Sequence, residues 1–543
     1  MADVGYLKLS VSGTFYVYDT STNDLLKIDQ TVYRILDDAL RYDSETIKRK
    51  YQGKLSQEEI SSAIRFINRA KERGLFQPFW RKDFFGYYDD ESIKKAISKN
   101  LRHLSLNLTE RCNLRCTYCV YSGQYRGQRI HNNKSMTWNI ARKSIDYFFP
   151  RARAIGKTKI SFYGGEPLLN WTLLKKCMDY IRKKSPLPYL ELDVLTNATL
   201  LRDEIIDFFI ENDVILSVSL DGPSRIHDAA RIYRNGRGSY AQVMEALEKI
   251  RRKDPEYFHR RVVIISSFNM NNNISSIYDY FSRGMFRDIF VRIKRIRDFD
   301  TGAYTVSKAD RLRYQKGLDG LIERYLKSLK KGIAFKFSDL YHTFPLVFEK
   351  FPQRTIGPSK RSTRPNRICI PGVKQLFVGS DGHFYPCYNF AHQGYDIGNC
   401  KIGLEIPKIR KLIQTYAGYC DAMCQECWAF RLCAHCFMHT LENGQMSKKR
   451  KMEHCLRERE RIAKDLRRFV HIWEQEAKYA YHDDLSLHAI VRSYQQETTS
   501  RQRILKSKRI IIENLSEEEN IGVVTEREVG LGFLARDHGP GNN

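Results

Sequence analysis

Hydrophobic and polar positions alternate through the first 28 residues, and this alternation predicts three short strands. The apolar positions that carry the pattern are Leu7, Leu9, Val11, Phe15, Val17, Leu25, Leu26 and Ile28. Asp29 is placed to cap a helix that reaches Arg41, and Ser56 with Glu59 fits a capping box for a helix that Gly74 ends. Residues 75–77 fit a returning strand. We therefore expect residues 1–80 to form a small winged-helix-like domain.

After a polar linker at 81–100, apolar strand segments alternate with amphipathic helical segments up to residue 330. Six such units predict an α/β fold, in which a parallel sheet curls into a partial (β/α)6 TIM-like barrel. Active sites of parallel barrels lie at the C-terminal ends of the strands, so we expect the chemistry there. The candidate strands are Leu104–Leu108, Thr158–Tyr163, Leu190–Leu195, Val214–Ser219, Val262–Ser266 and Ile289–Ile293.

The periodicity weakens in the last third of the chain. A connector at 331–365 leads into a segment at 366–475 that is rich in cysteine, glycine and aromatic residues and ends in a helix. Residues 476–543 are polar and charged, and we expect a helical or disordered tail. With so little periodicity, we expect bound metal to organise the cysteine-rich segment.

The cysteines divide into two sets, apart from Cys177, which we expect to be a buried apolar residue of a helix. One set is a trio between 112 and 119, and the other runs from Cys369 to Cys455. The start of the chain lacks the pattern of a signal peptide, so we expect a cytoplasmic protein, whose thiols stay reduced. Clustered thiols in a reducing compartment indicate metal rather than disulfides.

Charge adds a weaker constraint. Lys and Arg number 91 against 63 Asp and Glu, a formal net charge of +28. Such an excess fits an acidic peptide, a nucleic acid or a membrane surface as partner, and equally a solvated basic surface. No apolar run approaches the ~20 residues of a membrane-spanning helix. We find no RNA-reading motif, so we expect neither a membrane nor a nucleic acid as partner.

Cys112, Cys116 and Cys119 follow the first barrel strand in the sequence CNLRCTYC. Three thiolates can hold three irons of a cubane cluster and leave the fourth iron open, whereas a structural zinc site needs four ligands. A zinc knuckle with a remote fourth ligand is the alternative. The spacing resembles the CxxxCxxC signature of the radical SAM superfamily. That resemblance implies a [4Fe-4S] cluster whose open iron binds S-adenosylmethionine (SAM) and cleaves it to a 5′-deoxyadenosyl radical.

The ends of the next strands supply the candidate SAM contacts. Gly164, Gly165 and Glu166 resemble the superfamily's GGE motif, which implies that they bind the SAM amino group. The resemblance also implies contacts to the ribose and carboxylate of SAM from Asn197, Ser219, Asp221 and Arg231. Asp221 fits a turn cap before Gly222 and Pro223 equally well.

The second cysteine set resembles the SPASM domain, a C-terminal extension with two auxiliary iron–sulfur clusters, although its last short gap is two residues instead of three. The resemblance implies a distal cluster on Cys424, Cys427, Cys433 and Cys455 and a nearer one on Cys369, Cys387 and Cys436. Gln375 stands where some relatives have a fourth ligand. The nearer cluster therefore either keeps an open iron, which could bind a substrate thiolate, or recruits Cys400 or Cys420.

Residues 1–80 resemble the RiPP recognition element, a module that binds the leader of a ribosomally made precursor peptide as an added strand. The whole arrangement resembles radical SAM/SPASM peptide maturases. This implies SAM, three [4Fe-4S] clusters, a precursor peptide bound by residues 1–80, and an electron donor such as flavodoxin or ferredoxin. The reaction we expect is a thioether crosslink.

Four alternatives remain open at this point. They are a carbon–carbon crosslinking cyclase, an anaerobic sulfatase-type maturase, an RNA-modifying radical SAM enzyme and a non-catalytic metal scaffold. Sulfatase-activating enzymes carry an Asp where this chain has Tyr388, which counts against that activity. Tyr388 and His383 are candidates for a base, if the reaction uses one.

Overall fold

The computed structural model describes most of the chain up to residue 478. The described residues are 5–77, 89–98, 100–152, 158–296, 306–331, 343–352, 354, 356–357, 369–420 and 424–478, with two short strands at 509–510 and 524–525. Much of the predicted connector and nearly all of the predicted tail lie outside these ranges. Along the described part of the chain, we find no helix with the length and apolarity needed to cross a membrane.

The N-terminal region is a three-stranded antiparallel sheet followed by three helices. The strands pair in the order β1-β2-β3, and the helices α1 and α3 pack together over one face of the sheet. The elements are β1 (Tyr6–Val11), β2 (Thr14–Asp19), β3 (Asp24–Ile28), α1 (Gln30–Ala39), α2 (Ser44–Tyr51) and α3 (Gln57–Glu72).

Both predicted helix starts in this region are confirmed. The Asp29 side chain accepts a hydrogen bond from the Val32 amide, and Ser56 with Glu59 forms a complete capping box. The returning strand predicted at 75–77 is wrong. Phe76 adopts a positive φ of 54°, and its amide donates to the Asp19 carboxylate at 3.1 Å instead of to a strand neighbour.

A parallel sheet forms the centre of the molecule, and all six predicted barrel strands are present in it. They pair in chain order, each parallel to the next. Their apolar side chains are almost fully buried, as expected for a sheet that helices cover. The strands are β4 (His103–Thr109), β5 (Thr158–Gly164), β6 (Leu190–Thr196), β7 (Ile215–Ser219), β8 (Val262–Phe268) and β9 (Phe290–Arg295).

Helices connect these strands and cover the sheet. The segment predicted as a linker contains one of them, α4, whose Ile93 and Ile97 are buried. The helices are α4 (Asp90–Ser98), α5 (Trp138–Phe148), α6 (Trp171–Lys184), α7 (Asp203–Glu211), α8 (Ser224–His227), α9 (Tyr240–Lys253), α10 (Pro255–Arg261), α11 (Ile274–Phe281) and α12 (Lys308–Lys330).

The cysteine-rich segment extends the same sheet, which the sequence did not predict. Its first strand, β10, pairs in parallel with β4, and three short antiparallel strands follow, so the sheet has ten strands in all. Because β10 lies beside β4, the residues after β10 come to the same edge as the first cysteine trio. The elements are β10 (Gln375–Val378), β11 (His383–Tyr385), β12 (Gly398–Asn399), β13 (Gly403–Leu404), α13 (Ile406–Gly418), β14 (Leu441–Glu442), β15 (Gln445–Met446) and α14 (Lys448–Lys478).

The long helix α14 joins the three regions. It contacts β1, and the Tyr16 hydroxyl donates to Glu474 near its C-terminal end. Against the barrel, Arg468 donates two hydrogen bonds to Asp319 of α12, at 2.8 and 2.9 Å. Its N-terminal half carries Cys455, so the same helix places one thiol of the cysteine-rich segment.

Candidate active site at the C-terminal edge of the sheet

The first cysteine trio lies on the loop that leaves β4, and two glycines hold this loop: Gly164, the last residue of β5, and Gly165, which follows it. The Gly165 amide donates to the Thr109 carbonyl at 2.7 Å. A Cβ atom on Gly165 would lie 2.2 Å from the Arg111 carbonyl oxygen, and one on Gly164 would lie 2.4 Å from that of Thr109. The sequence suggested that these glycines let backbone approach a ligand, but the close approach is to the cysteine loop itself.

The three thiols of this loop are mutual neighbours in a buried setting. Burial raises the pKa of Cys112 and of Cys116 to about 12, and the nearby sulfurs contribute to the rise. Two side-chain donors approach the sulfurs: Asn197 Nδ2 lies 3.9 Å from Cys112 Sγ, and Arg231 Nη1 lies 3.9 Å from Cys116 Sγ. Three sulfurs with donors and a guanidinium around them fit an anionic iron–sulfur cluster with one open iron.

The Glu166 carboxylate connects the end of β5 to the end of β6 through hydrogen bonds. It is almost fully buried, and its Oε1 accepts from the Thr196 hydroxyl at 2.8 Å and from the Leu168 amide at 3.1 Å. Its Oε2 accepts from the Asn197 amide at 2.8 Å. Burial raises the pKa of Glu166 to about 7, and these hydrogen bonds act in the opposite direction. The carboxylate therefore fixes Asn197 at the edge of the sheet.

Asp221 pairs with Arg231, so the turn-cap interpretation of this residue is wrong. Its Oδ2 accepts from Arg231 Nε at 3.0 Å and from the Tyr118 hydroxyl at 2.5 Å, and its Oδ1 accepts from the Ser267 amide at 2.9 Å. Asp221 thus holds Arg231 beside the cysteine loop. Ser219 ends β7, so the candidate SAM contacts come from the ends of three neighbouring strands, β5, β6 and β7.

In the second set, four cysteines surround one cavity. Its lining includes Cys424, Cys427, Cys433 and Cys455, the group that the sequence assigned to a distal cluster. Lys451 of α14 also lines it, with its Nζ 3.3 Å from Cys424 Sγ and 3.8 Å from Cys455 Sγ. Four thiols around one cavity, with a buried ammonium beside them, fit a fully ligated cluster.

Cys369, Cys387 and Cys436 form the third group. Burial raises the pKa of Cys387 to about 12, and the neighbouring Cys369 and Cys436 add to the rise. Their proximity matches the nearer set that the sequence assigned.

The structure places the two extra cysteines elsewhere. Cys420 is buried and lies within hydrogen-bonding distance of Cys424, on the distal side. Cys400 lies on the β12–β13 hairpin against Gly382 and Ile140 of α5. The suggestion that one of them completes the nearer group is therefore not supported, because local chain geometry directs them to other neighbours.

Two candidate bases differ in environment. His383 is exposed and lies 3.8 Å from Asp396, away from the buried thiols. Tyr388 directly follows Cys387, and its ring centre lies 5.7 Å from that of Tyr163 at the end of β5. Tyr388 therefore faces the mouth of the barrel.

The sequence did not single out Arg129, which lies at this mouth. Its Nη2 donates to the Tyr388 carbonyl at 3.0 Å, and its guanidinium carbon lies 4.5 Å from the centre of the Phe377 ring. Nothing in the local pattern distinguishes it from the other arginines of a basic chain. Lys451 was missed for the same reason.

Known proteins similar to this chain agree with this geometry. The model of the Radical SAM superfamily matches residues 106–270. A cysteine-type anaerobic sulfatase-maturating enzyme of Clostridium novyi (strain NT) is 26% identical over 309 residues, which is 56% of this chain and 76% of that protein. The antilisterial bacteriocin subtilosin biosynthesis protein AlbA of Bacillus subtilis (strain 168) is 23% identical over 362 residues, 64% of this chain and 69% of AlbA.

Among solved structures, the one described as "Native anSMEcpe with bound AdoMet" has a TM-score of 0.50 at 19% identity, covering 67% of this chain and 99% of that one. This likeness supports the α/β fold with its central parallel sheet. Proteins of the matching superfamily use SAM and a [4Fe-4S] cluster, and the loop with Cys112, Cys116 and Cys119 lies within the matched residues. Residues 106–270 of this chain are a radical SAM domain.

Proposed function

We propose that this protein is a radical SAM enzyme that installs a thioether crosslink in a ribosomally made precursor peptide. The observation that carries the proposal is the position of the nearer cysteine group. The ring centre of Tyr388, the residue after Cys387, lies 5.7 Å from that of Tyr163 at the end of β5, and the Tyr388 carbonyl accepts from Arg129 on the loop that follows the first cysteine trio. A peptide bound there lies between the site of radical formation and a second group of sulfurs.

When bound, SAM and the first cluster supply a 5′-deoxyadenosyl radical, which abstracts a hydrogen atom from carbon. The chain's own residues prepare the site for it. Arg231, fixed by Asp221, presents a positive charge beside Cys116, and Asn197 presents an amide N–H to Cys112. Coupling a thiol to a carbon also releases a proton and one electron. The second cysteine set is where we expect the acceptor of that electron.

The N-terminal region supports a peptide as the substrate. Its sheet has β1 and β3 as edge strands, and an edge strand can accept an added strand through backbone hydrogen bonds. The formal net charge of +28 suits an acidic leader. We therefore assign leader binding to residues 1–80 as part of this proposal.

Sulfatase-type maturation is the second candidate, because the Clostridium novyi relative is similar over 76% of its length. Such a reaction would oxidise one residue of a protein to an aldehyde instead of joining two residues. Tyr388, in place of the Asp expected there, argues for the crosslink.

The test uses the full chain with its clusters reconstituted anaerobically, SAM and dithionite. We expect 5′-deoxyadenosine, and a non-catalytic scaffold would give none. With a cysteine-containing precursor peptide from a reading frame beside the gene, a thioether product loses two hydrogens and resists iodoacetamide. A product that reacts with a hydrazide would instead establish the sulfatase-type reaction.

A further inference from the structure

Several buried polar atoms at the mouth of the barrel have no hydrogen-bond partner within the described part of the chain. They are Asn107 Nδ2, Gln128 Oε1 and two nitrogens of Arg129, Nε and Nη1. Asn107 and Arg129 both contact Tyr121, whose hydroxyl donates to Asn107 Oδ1 at 3.1 Å and whose ring centre lies 4.8 Å from the Arg129 guanidinium carbon. Gln128, the residue before Arg129, contacts His392 Nδ1 through its Nε2 at 3.2 Å. Buried donors are normally satisfied, so a group of unsatisfied ones indicates a missing partner.

Arg129 is the centre of this group. Its guanidinium lies 4.5 Å from the Phe377 ring centre, 4.8 Å from that of Tyr121 and 5.9 Å from that of Tyr163. These aromatic contacts keep water away from the guanidinium but do not accept its in-plane N–H bonds. One nitrogen, Nη2, donates to the Tyr388 carbonyl, which leaves two others available.

The charge of Arg129 also lacks a carboxylate. The ion pairs of the described residues do not include one with Arg129, and Glu110, the acidic residue nearby in the loop, is engaged by Ser380 and Asn132. A buried guanidinium without an anionic partner costs free energy. Each unpaired N–H can donate a charge-assisted hydrogen bond to a carboxylate oxygen, and the flat guanidinium stacks against aromatic rings, which a lysine ammonium cannot reproduce.

The position of Arg129 relates it to both cysteine groups. Its guanidinium carbon lies 5.9 Å from the ring centre of Tyr163 at the end of β5, beside the first cysteine loop, and it holds the carbonyl of Tyr388, the residue after Cys387. A ligand bound to its free donors would lie between these groups, where a peptide must lie to meet the radical.

We propose that Arg129 is a substrate-anchoring residue that binds an acidic side chain of the peptide through a charge-assisted hydrogen bond from one of its unpaired groups, Nε–H or Nη1–H. This inference rests on the proposed function and narrows its substrate to peptides with an Asp or Glu close to the modified residue. Asn107 Nδ2 supplies a donor for the adjoining peptide backbone.

The test measures binding of short peptides to the reconstituted full chain with SAM bound, by calorimetry under anaerobic conditions. The probes are acetyl-Ala-Asp-Ala-amide, its Asn analogue, and acetyl-Ala-Ala-Ala with a free C-terminus. We expect the Asp peptide to bind best. Arg129→Met should weaken it by about thirtyfold or more, the scale for losing one buried charge pair.

Arg126→Met is the matched control, because Arg126 is on the same loop but exposed and the net charge changes equally. It should bind the Asp peptide like the wild type. Arg129→Lys keeps the charge but not the flat guanidinium that stacks on Tyr121 and Phe377, so it should also bind more weakly, and it tests the proposal if R129M fails to retain its clusters. Equal binding of the Asp and Asn peptides, or equal loss in R126M, would overturn the inference.

Two further measurements show whether the carboxylate that Arg129 binds belongs to an acidic side chain, to SAM or to the C-terminus of a peptide. SAM affinity is measured without peptide in R129M and R126M, and the loss of Asp-peptide binding in R129M should exceed any change in its SAM affinity. A parallel loss of SAM affinity would assign Arg129 to the SAM carboxylate, and stronger binding of the free C-terminus than of Asp would assign it to a chain end. Either result contradicts our proposal. If the wild type forms no 5′-deoxyadenosine, the proposed function fails, whatever the peptides show.

Discussion

The two cysteine-bearing regions differ in what holds their thiols in place. The loop with Cys112, Cys116 and Cys119 is held by backbone hydrogen bonds. The Gly165 amide donates to the Thr109 carbonyl, and the Arg115 amide donates to the Ile232 carbonyl, each at 2.7 Å. The strands beneath it belong to a buried parallel sheet. This loop therefore keeps its geometry without help from a metal.

The segment between Cys424 and Cys436 lies outside the central sheet and is held by short turns and by side-chain contacts: Arg431 donates to the Ser21 carbonyl at 3.1 Å, and the Ala434 amide donates to Glu458 at 3.0 Å. Its turns are short and close on themselves, as when the Cys433 amide donates to Phe430, and the four thiols of the distal group surround a cavity. A site of this kind gains stability when metal fills it. The comparison indicates that the first region is organised by the fold and the second by its cofactor, and the following experiments test that difference.

The largest effect should come from Cys116→Ala. We expect SAM cleavage to be abolished, because one of three sulfurs at the first site is lost, while the melting temperature and leader binding by residues 1–80 stay near wild type. The measurements are 5′-deoxyadenosine formation and calorimetry. Cys177→Ala, in a buried position of α6, is the control and should keep SAM cleavage. A large loss of stability in C116A would show that the first region also depends on its metal.

Cys433→Ala, unlike Cys116→Ala, should lower the stability of the protein. We expect loss of iron, a lower melting temperature and faster proteolysis near residues 424–436. The free energy of unfolding should fall by several kcal/mol, as it does when other structural metal sites lose their metal. Iron content and limited proteolysis measure the two effects. The distinction between the regions fails if C433A is as stable as C116A.

Acid should destabilise the first region through His227. This residue is fully buried, its Nδ1 lies 3.3 Å from the Asp221 amide nitrogen, and burial with the nearby Arg231 lowers its pKa to about 3. The unfolded chain takes up a proton below pH ~6.5, whereas the folded chain does not until near pH 3. The stabilisation is thus present above pH 6.5 and is lost as the pH falls, by up to about 4 kcal/mol.

The check is the free energy of unfolding of apo protein between pH 7 and 4, compared with His227→Gln. The variant should show a flatter dependence on pH. Parallel curves for the two proteins would mean that His227 does not cause the loss.

The smallest effect should come from Lys451→Met. The Lys451 ammonium lies beside the sulfurs of Cys424 and Cys455, and a positive donor there favours the reduced, more negative state of a cluster. Its loss should lower the reduction potential of the distal cluster and leave that of the first cluster unchanged. Redox titration followed by electron paramagnetic resonance measures both. Lys464→Met, an exposed change on the same helix, should shift neither.

Sequence reasoning worked best where the signal was local. The apolar alternation located all six parallel strands, and the caps at Asp29 and Ser56 marked two helix starts correctly. It failed at 75–77, where the Asp19 carboxylate, distant in sequence, captures the Phe76 amide and a turn replaces the strand. It also gave no sign of β10, whose four residues gain their strand conformation by pairing with β4.

For the candidate site, spacing grouped the cysteines in the same way as the structure does, but it did not locate the two extra ones. Cys420 is next to Cys424, whose amide donates to the Cys420 carbonyl at 3.0 Å, and Cys400 lies against α5 with its hairpin. Arg129 and Lys451 look ordinary in a chain with 91 basic residues. Their roles depend on which rings and sulfurs surround them.

The sequence by itself determined the class of chemistry, because three closely spaced thiols and the periodicity of the strands are properties of neighbouring residues. Only the tertiary structure decided which residues contact each other. It pairs Asp221 with Arg231 and Tyr388 with Tyr163, and it places Arg129, with its unpaired donors, between two cysteine groups. The physical reason is that burial and pairing arise between segments far apart in the chain, where no local pattern records them.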